Sequence, residues 1–107
     1  MALNHSLDQY VVDAIAFDAE QLDSIVAYLN DHDSEWYARY EHAVQRPEVL
    51  MSLMRLVRNG LVEVHVLDPA ANDFIEFGEG VWPDKPVGTM YFDLTGRGRV
   101  RYLNWDY

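Results

Sequence analysis

A helix stop followed at once by a strand constrains the fold more than any other feature of this sequence. Apolar residues recur at helical spacing up to Asn59-Gly60, a pair typical of helix ends because glycine readily adopts the left-handed backbone that closes a helix. Pro47 suits the first turn of the same helix. The next segment, Leu-Val-Glu-Val-His-Val-Leu, places a valine at every second position, as in a strand with one buried face. The sequence therefore predicts a helix over residues 47–59 that runs directly into a strand over residues 61–67.

The same helical spacing predicts three further helices upstream. The first covers residues 7–16, with Ser6 as its expected N-terminal cap, and the second covers residues 19–30, with Asp18 as its expected N-terminal cap. A third helix over residues 34–45, capped by Asp33 or Ser34, has an apolar face that is aromatic rather than aliphatic. The N-terminal half is therefore expected to be helical.

A second strand is predicted at residues 89–94, where Thr-Met-Tyr-Phe-Asp-Leu follows a segment rich in glycine and proline. That segment, residues 68–88, is long for a loop in a compact domain, so it holds either local structure around residues 74–77 or a functional loop. The tail after Thr95 fits a short helix capped by Thr95, which we favour, or a hairpin. The expected fold class is α+β, with three to four helices followed by a small antiparallel β-hairpin in a single domain over residues 1–107.

The balance of charge restricts the classes of partner. The chain of 107 residues holds 18 acidic against 8 basic side chains, a formal net charge of −10. A negative field opposes generic binding to nucleic acid and to anionic membranes, unless a high-salt host explains the acidic bias. Because no secretion signal or membrane-length apolar run is present, we expect a cytoplasmic location and no membrane partner.

The sequence shows no recognisable catalytic motif. Cysteine is absent, and neither a glycine-rich phosphate loop nor a nucleophile elbow is found. The acidic and histidine residues between positions 31 and 42 lack a histidine pair at i, i+4 spacing, which favours a solvated surface over a metal site. We therefore expect no enzymatic activity, no cofactor and no bound metal.

Two segments together resemble the second half of a winged helix-turn-helix domain. The first, residues 49–63, is an amphipathic helix closed by Gly-Leu-Val and a strand, and the second, residues 91–99, contains Leu-Thr-Gly-Arg-Gly-Arg, similar to the Leu-Thr-x-x-Gly-Arg pattern after the wing. The resemblance implies that helix 47–59 is presented to the DNA major groove and that residues 68–88 form the wing. On that helix it implies nucleic-acid contacts by Ser52, Arg55, Arg58 and Asn59, which lie away from the predicted apolar stripe. Arg97 and Arg99 complete the candidate set, because with Arg55 and Arg58 they belong to the one basic concentration of the sequence.

The same arginines could instead neutralise acidic groups of the protein itself, because the wing is rich in aspartate and glutamate. The chain is also rich in aromatic residues, some of which are expected to stay exposed and to mark a protein interface or a homodimer. The candidates for that interface are Trp82, Tyr102, Trp105 and Tyr107.

Three functions follow as hypotheses. The preferred one is a non-catalytic regulatory or protein-interaction module on a winged-helix-like scaffold. The alternatives are a DNA-binding transcriptional regulator and an acidic inhibitor or immunity-type protein that masks a basic partner.

Overall fold

The computed structural model describes residues 7–40 and 42–105, which form an α+β fold and confirm the expected fold class. Over these residues the chain contains five helices, three strands and a single 3-10 turn at Val87–Thr89. The helices are α1 (Leu7–Ala14), α2 (Leu22–Asn30), α3 (Glu35–Tyr40), α4 (Arg46–Arg58) and α5 (Gly96–Asn104). The strands are β1 (Val62–Asp68), β2 (Asp73–Glu76) and β3 (Met90–Leu94).

The predicted passage from α4 into β1 is confirmed, with bounds shifted by one residue. Gly60 has φ of 76°, and its N–H donates to the carbonyl of Val57 at 3.0 Å. The N–H of Leu61 donates to the carbonyl of Leu56, also at 3.0 Å. These two bonds form a Schellman motif, which needs the left-handed residue that glycine supplies without steric cost.

The strands form one antiparallel sheet in the order β2-β1-β3. The predicted pairing of β1 with β3 is confirmed, since Val62 lies opposite Leu94 and Val64 opposite Phe92. The third strand, β2, lies in the segment that the sequence left open between local structure and a loop. All four β2 residues are exposed, so β2 lacks the alternation of buried and exposed side chains by which strands are recognised.

The predicted start of the second helix was wrong by three residues. Glu20 and Phe92 exchange two backbone hydrogen bonds, of 3.0 and 2.8 Å, so the chain at residue 20 is extended against β3. Asp18 accepts a hydrogen bond from the N–H of Ala19 and caps no helix. A long-range backbone pairing therefore overrides the local helix signal. Ser6, the expected cap of the first helix, lies outside the described residues.

The first and third helices are also shorter than predicted. Helix α1 ends at Ala14 rather than at residue 16, and α3 ends at Tyr40 rather than at residue 45. In the non-helical segment 42–45, the side chain of Asn30 accepts from the N–H of Val44 at 2.7 Å and donates to its carbonyl at 3.1 Å. Asn30 therefore satisfies the backbone groups that a longer helix would have used itself.

One core joins the helices to the inner face of the sheet. Its fully buried side chains include Tyr10 of α1, Leu29 of α2, Leu53 of α4 and Phe92 of β3. The predicted C-terminal helix is confirmed as α5. The Thr95 hydroxyl oxygen accepts from the N–H of Gly98 at 2.9 Å, and the hydroxyl donates to the carbonyl of Gly60 at 2.7 Å. The N-terminal cap of α5 therefore also anchors it to the end of α4.

Asp13 of α1 ties α1 to α2 and α5. Its carboxylate accepts hydrogen bonds from the hydroxyl of Tyr28 at 2.9 Å and from that of Tyr102 at 3.1 Å. Burial, followed by this hydrogen bond, raises the pKa of Tyr28 to about 12. The phenol therefore stays neutral and able to donate at ordinary pH.

Candidate interaction surface on helix α4

Two of the residues predicted to bind nucleic acid, Ser52 and Arg55, contact Asp8 of α1. Ser52 is fully buried and donates a hydrogen bond to Asp8 at 2.7 Å. Arg55 donates to both oxygens of the same carboxylate, at 2.7 and 3.3 Å. The hydrogen bond to Asp8 raises the pKa of the Arg55 guanidinium. Asp8 therefore holds the side chains of Ser52 and Arg55 against α1.

Two arginines of α5, Arg97 and Arg99, also meet partners within the chain. Arg97 lies 3.2 Å from a carboxylate oxygen of Glu79 and donates to the carbonyl of Asn59. Arg99 donates to the carbonyl of Ala16 at 3.3 Å and to Asp93 at 3.4 Å. These contacts fit the interpretation that the arginines neutralise the chain's own acidic groups.

Arg58 and Asn59, at the C-terminal end of α4, complete the predicted set. Both are exposed, and within the described part of the chain their side chains form no hydrogen bond or ion pair. The structure thus leaves these two side chains available to a partner. Contact of the six residues with nucleic acid stays a prediction.

One strip of the outward surface of α4 is largely apolar. Pro47, Met51, Met54 and Arg58 are spaced i, i+4, i+7 and i+11, so they share one face of the helix, which we name the α4 ridge. All four are exposed, and Met51 shows 60% of its surface to solvent. The opposite face, with Val49, Leu53, Leu56 and Val57, is buried in the core. The helical spacing of apolar residues predicted Met54 as part of the buried stripe, whereas the structure leaves it 39% exposed, and the sequence gave no role to Met51.

The charged groups beside the α4 ridge are paired. Arg46 lies 2.8 Å from Asp23 of α2, and Arg55 is bound to Asp8. Glu48 accepts from the backbone N–H of Gln45 at 2.9 Å, as in an N-terminal capping arrangement. The ridge therefore presents methionine side chains between neutralised pairs, with Arg58 as a positive charge at one end.

The segment that the resemblance predicts as the wing, residues 68–88, is acidic and partly structured. It contains β2 and one basic residue, Lys85, against five acidic ones: Asp68, Asp73, Glu76, Glu79 and Asp84. Only Glu79 has an arginine partner among the described residues. A surface of this charge repels the phosphate backbone that a DNA-binding wing would touch.

The aromatic residues predicted for a protein interface are half-buried where they are described. Trp82 stacks on Phe92, with ring centroids 5.7 Å apart, and Trp105 packs against the core. Tyr102 is held by Asp13, and Tyr107 lies outside the described residues. Their assignment to an interface stays a prediction.

A more exposed apolar surface lies where α5 meets the end of α1. Phe17 is 91% exposed and Leu103 is 78% exposed, and Val100 shares the outer face of α5 with Leu103. A hydrogen bond of 3.3 Å from Arg99 to the carbonyl of Ala16 links α5 to the residue that precedes Phe17. We name Phe17, Val100 and Leu103 the α5 patch. The spacing of Val100 and Leu103 was visible in the sequence, but the link between α5 and the residue before Phe17 depends on the fold.

Among the described residues, no group of three histidine, aspartate or glutamate side chains is placed to hold a metal ion. In the same residues, no helix combines the length and apolar character needed to cross a bilayer. Comparison with known proteins found no matching family model, no matching curated protein and no matching solved structure.

Proposed function

We propose that this chain is a non-catalytic, regulatory protein-interaction module on a winged-helix-like scaffold, and that it binds a partner protein through the α4 ridge. The observation that carries the proposal is the exposure of Met51 and Met54 on the helix that the resemblance would assign to DNA reading. Methionine is flexible and polarisable, so exposed methionines adapt to apolar partner surfaces.

The layout of the chain supports the scaffold part of the proposal. Helix α4 leads directly into β1, β1 pairs with β3, and the wing lies between the two strands. This is the order of elements that the resemblance implies. The layout alone does not determine function, so the choice between partners rests on the surface of α4.

Charge favours a protein partner over DNA. A DNA-reading helix offers donors to base edges, and arginine and asparagine are suited to this role. Here Arg55 is bound by Asp8 and Arg97 lies against Glu79, while the wing is acidic. A DNA-binding regulator would therefore depend on Arg58 and Asn59, with repulsion from the wing close by.

The proposal is tested by site-specific crosslinking in the natural host. A photoreactive phenylalanine derivative at Met54 is expected to form an adduct with one distinct protein, whereas the same group at Ser24, an exposed residue of α2, is not. Met51→Ser/Met54→Ser should weaken binding of the purified partner at least about tenfold. The free energy of unfolding of this double variant should differ from that of the wild type by less than about 0.5 kcal/mol, because both side chains are exposed. Crosslinks from Met54 to DNA, or equal adducts at both positions, would count against the proposal.

We further propose that two copies of the chain associate through the α5 patch. Large apolar side chains as exposed as Phe17 and Leu103 are typical of contact surfaces. Helix α5 also carries Arg97, Arg99 and Arg101 and no acidic residue, so it locally offsets the charge that makes two copies repel each other.

Sedimentation equilibrium tests the association. We expect dimers at high protein concentration, with a larger dimer fraction as added salt screens the repulsion between two chains of net charge −10. Phe17→Ser/Leu103→Ser should weaken the dimer at least about tenfold. A wild-type chain that stays monomeric at every concentration and salt level would exclude this interface.

A further inference from the structure

The face of the sheet that points away from the core carries a mixed aromatic and acidic surface. Alternate residues of β1 point outward, because Val62, Val64 and Val66 point into the core. The strand register places His65 between Glu76 of β2 and Tyr91 of β3, and it places Glu63 opposite Asp93. We name Glu63, His65, Phe74, Glu76, Tyr91 and Asp93 the outer sheet face.

The rings of Phe74 and Tyr91 on this face form an aromatic pair, which we name the corner. Phe74 and Tyr91 meet edge to face, with centroids 5.1 Å apart and planes at 86°. Phe74 is 45% exposed, and its ring lies 6.4 Å from that of His65. The corner therefore covers part of His65 and still leaves an aromatic surface open to solvent.

Carboxylates surround the corner and exceed the positive charge that reaches it. Glu63 and Asp93 lie directly opposite each other, an unfavourable arrangement for like charges. Arg99 lies 3.4 Å from Asp93, and His65 lies 3.3 Å from Glu63. The side chain of Glu76 is 77% exposed, and within the described residues the imidazole of His65, at 4.0 Å, is its one ionisable partner. The face therefore keeps an unneutralised negative charge beside the aromatic surface.

An arginine side chain matches this combination better than any other natural side chain. Its planar guanidinium stacks on aromatic rings and donates paired hydrogen bonds to a carboxylate. We propose that the outer sheet face binds an arginine of a basic segment in a partner protein. The inference goes beyond the proposed function, because the face lies on β1, β2 and β3 and shares no residue with the α4 ridge.

The test is a nuclear magnetic resonance titration of the isotope-labelled chain with a nona-arginine peptide at low salt. The largest shifts are expected at the backbone amides of Glu63, His65, Phe74, Glu76 and Tyr91. Phe74→Leu, which keeps an apolar side chain but removes the ring, should weaken binding about threefold. Glu76→Gln should weaken it about twofold.

Asp84→Asn is the matched control, because it removes one negative charge from the wing outside the outer sheet face. It should bind the peptide as the wild type does. Chemical-shift changes spread over the acidic surface of α1, α2 and α3 would overturn the proposal. An equal loss of peptide affinity in Glu76→Gln and Asp84→Asn would overturn it as well. Met51→Ser/Met54→Ser should retain peptide binding. A result that contradicts the proposal for the α4 ridge can therefore be distinguished from one that contradicts the proposal for the outer sheet face.

Discussion

Gly98→Ala is expected to lower the free energy of unfolding by about 3 kcal/mol, at the upper end of the usual cost of overpacking. Gly98 is buried in α5, where the helix crosses the start of β1. A Cβ atom at this position would overlap the carbonyl oxygen of Leu61 and lie 3.3 Å from Cδ2 of Leu94. A backbone atom cannot rotate away as a side chain can, so the helix or the strand would have to move.

Movement of that strand would break further contacts. The carbonyl of Leu61 also accepts a hydrogen bond from the N–H of Thr95 at 3.1 Å, and the hydroxyl of Thr95 donates to the carbonyl of Gly60. A shift of α5 would therefore loosen its own N-terminal cap and the end of α4 together. This coupling is why we expect a large effect from the addition of a single methyl group.

Gly96→Ala is the matched control in the same helix. A Cβ atom at Gly96 meets nothing within 4 Å, so this variant should be as stable as the wild type or up to about 1 kcal/mol more stable through higher helix propensity. Urea unfolding followed by circular dichroism measures both variants. Equal stability of the two variants would show that α5 does not pack against Leu61 as described.

Asp8→Ala is expected to destabilise the fold by about 2 kcal/mol, because it leaves a buried hydroxyl and a guanidinium without their acceptor. Ser52 is fully buried and donates to Asp8 at 2.7 Å, and Arg55 donates to both Asp8 oxygens. Both donors lie on α4, so the loss would weaken the contact between α1 and α4.

Asp23→Ala provides the comparison, since Asp23 also binds an arginine of α4. The side chains of the Asp23–Arg46 pair are mostly exposed, and exposed ion pairs contribute little because water and salt screen them. We expect Asp23→Ala to cost less than about 0.5 kcal/mol. Thermal and urea unfolding of the two variants should separate them clearly, and similar losses would argue against the buried role of Asp8.

Local signals in the sequence determined the main elements of the fold. Helix α4, the Gly60 stop, β1 and the Thr95 cap were all predicted, because each depends on residues within a few positions of one another. Their bounds in the structure agree closely with those predictions. The α+β class followed from the same signals.

Tertiary contacts decided the ends of the other helices and the presence of β2. The pairing of Glu20 with Phe92 keeps the chain extended there, so α2 starts only at Leu22. Beyond the end of α3, the side chain of Asn30 forms hydrogen bonds with the backbone N–H and carbonyl of Val44. The β2 strand is exposed throughout and forms because β1 offers a hydrogen-bonding edge. The first two pairings join residues that are remote in sequence, so no local pattern could indicate them, whereas β2 follows β1 closely and lies where the sequence left local structure open.

For the candidate sites, the sequence by itself determined which residue types were present, and only the tertiary structure decided what each one faces. Arg55 was correctly placed away from the apolar stripe of α4, yet α1 brings Asp8 within hydrogen-bonding distance of it. The gathering of Phe74 and Tyr91 around His65 likewise requires three strands in register. The physical reason is the range of the interactions: backbone propensity and periodicity act along a few residues, whereas ion pairs, ring contacts and solvent exposure depend on distances that are set only when remote segments pack together.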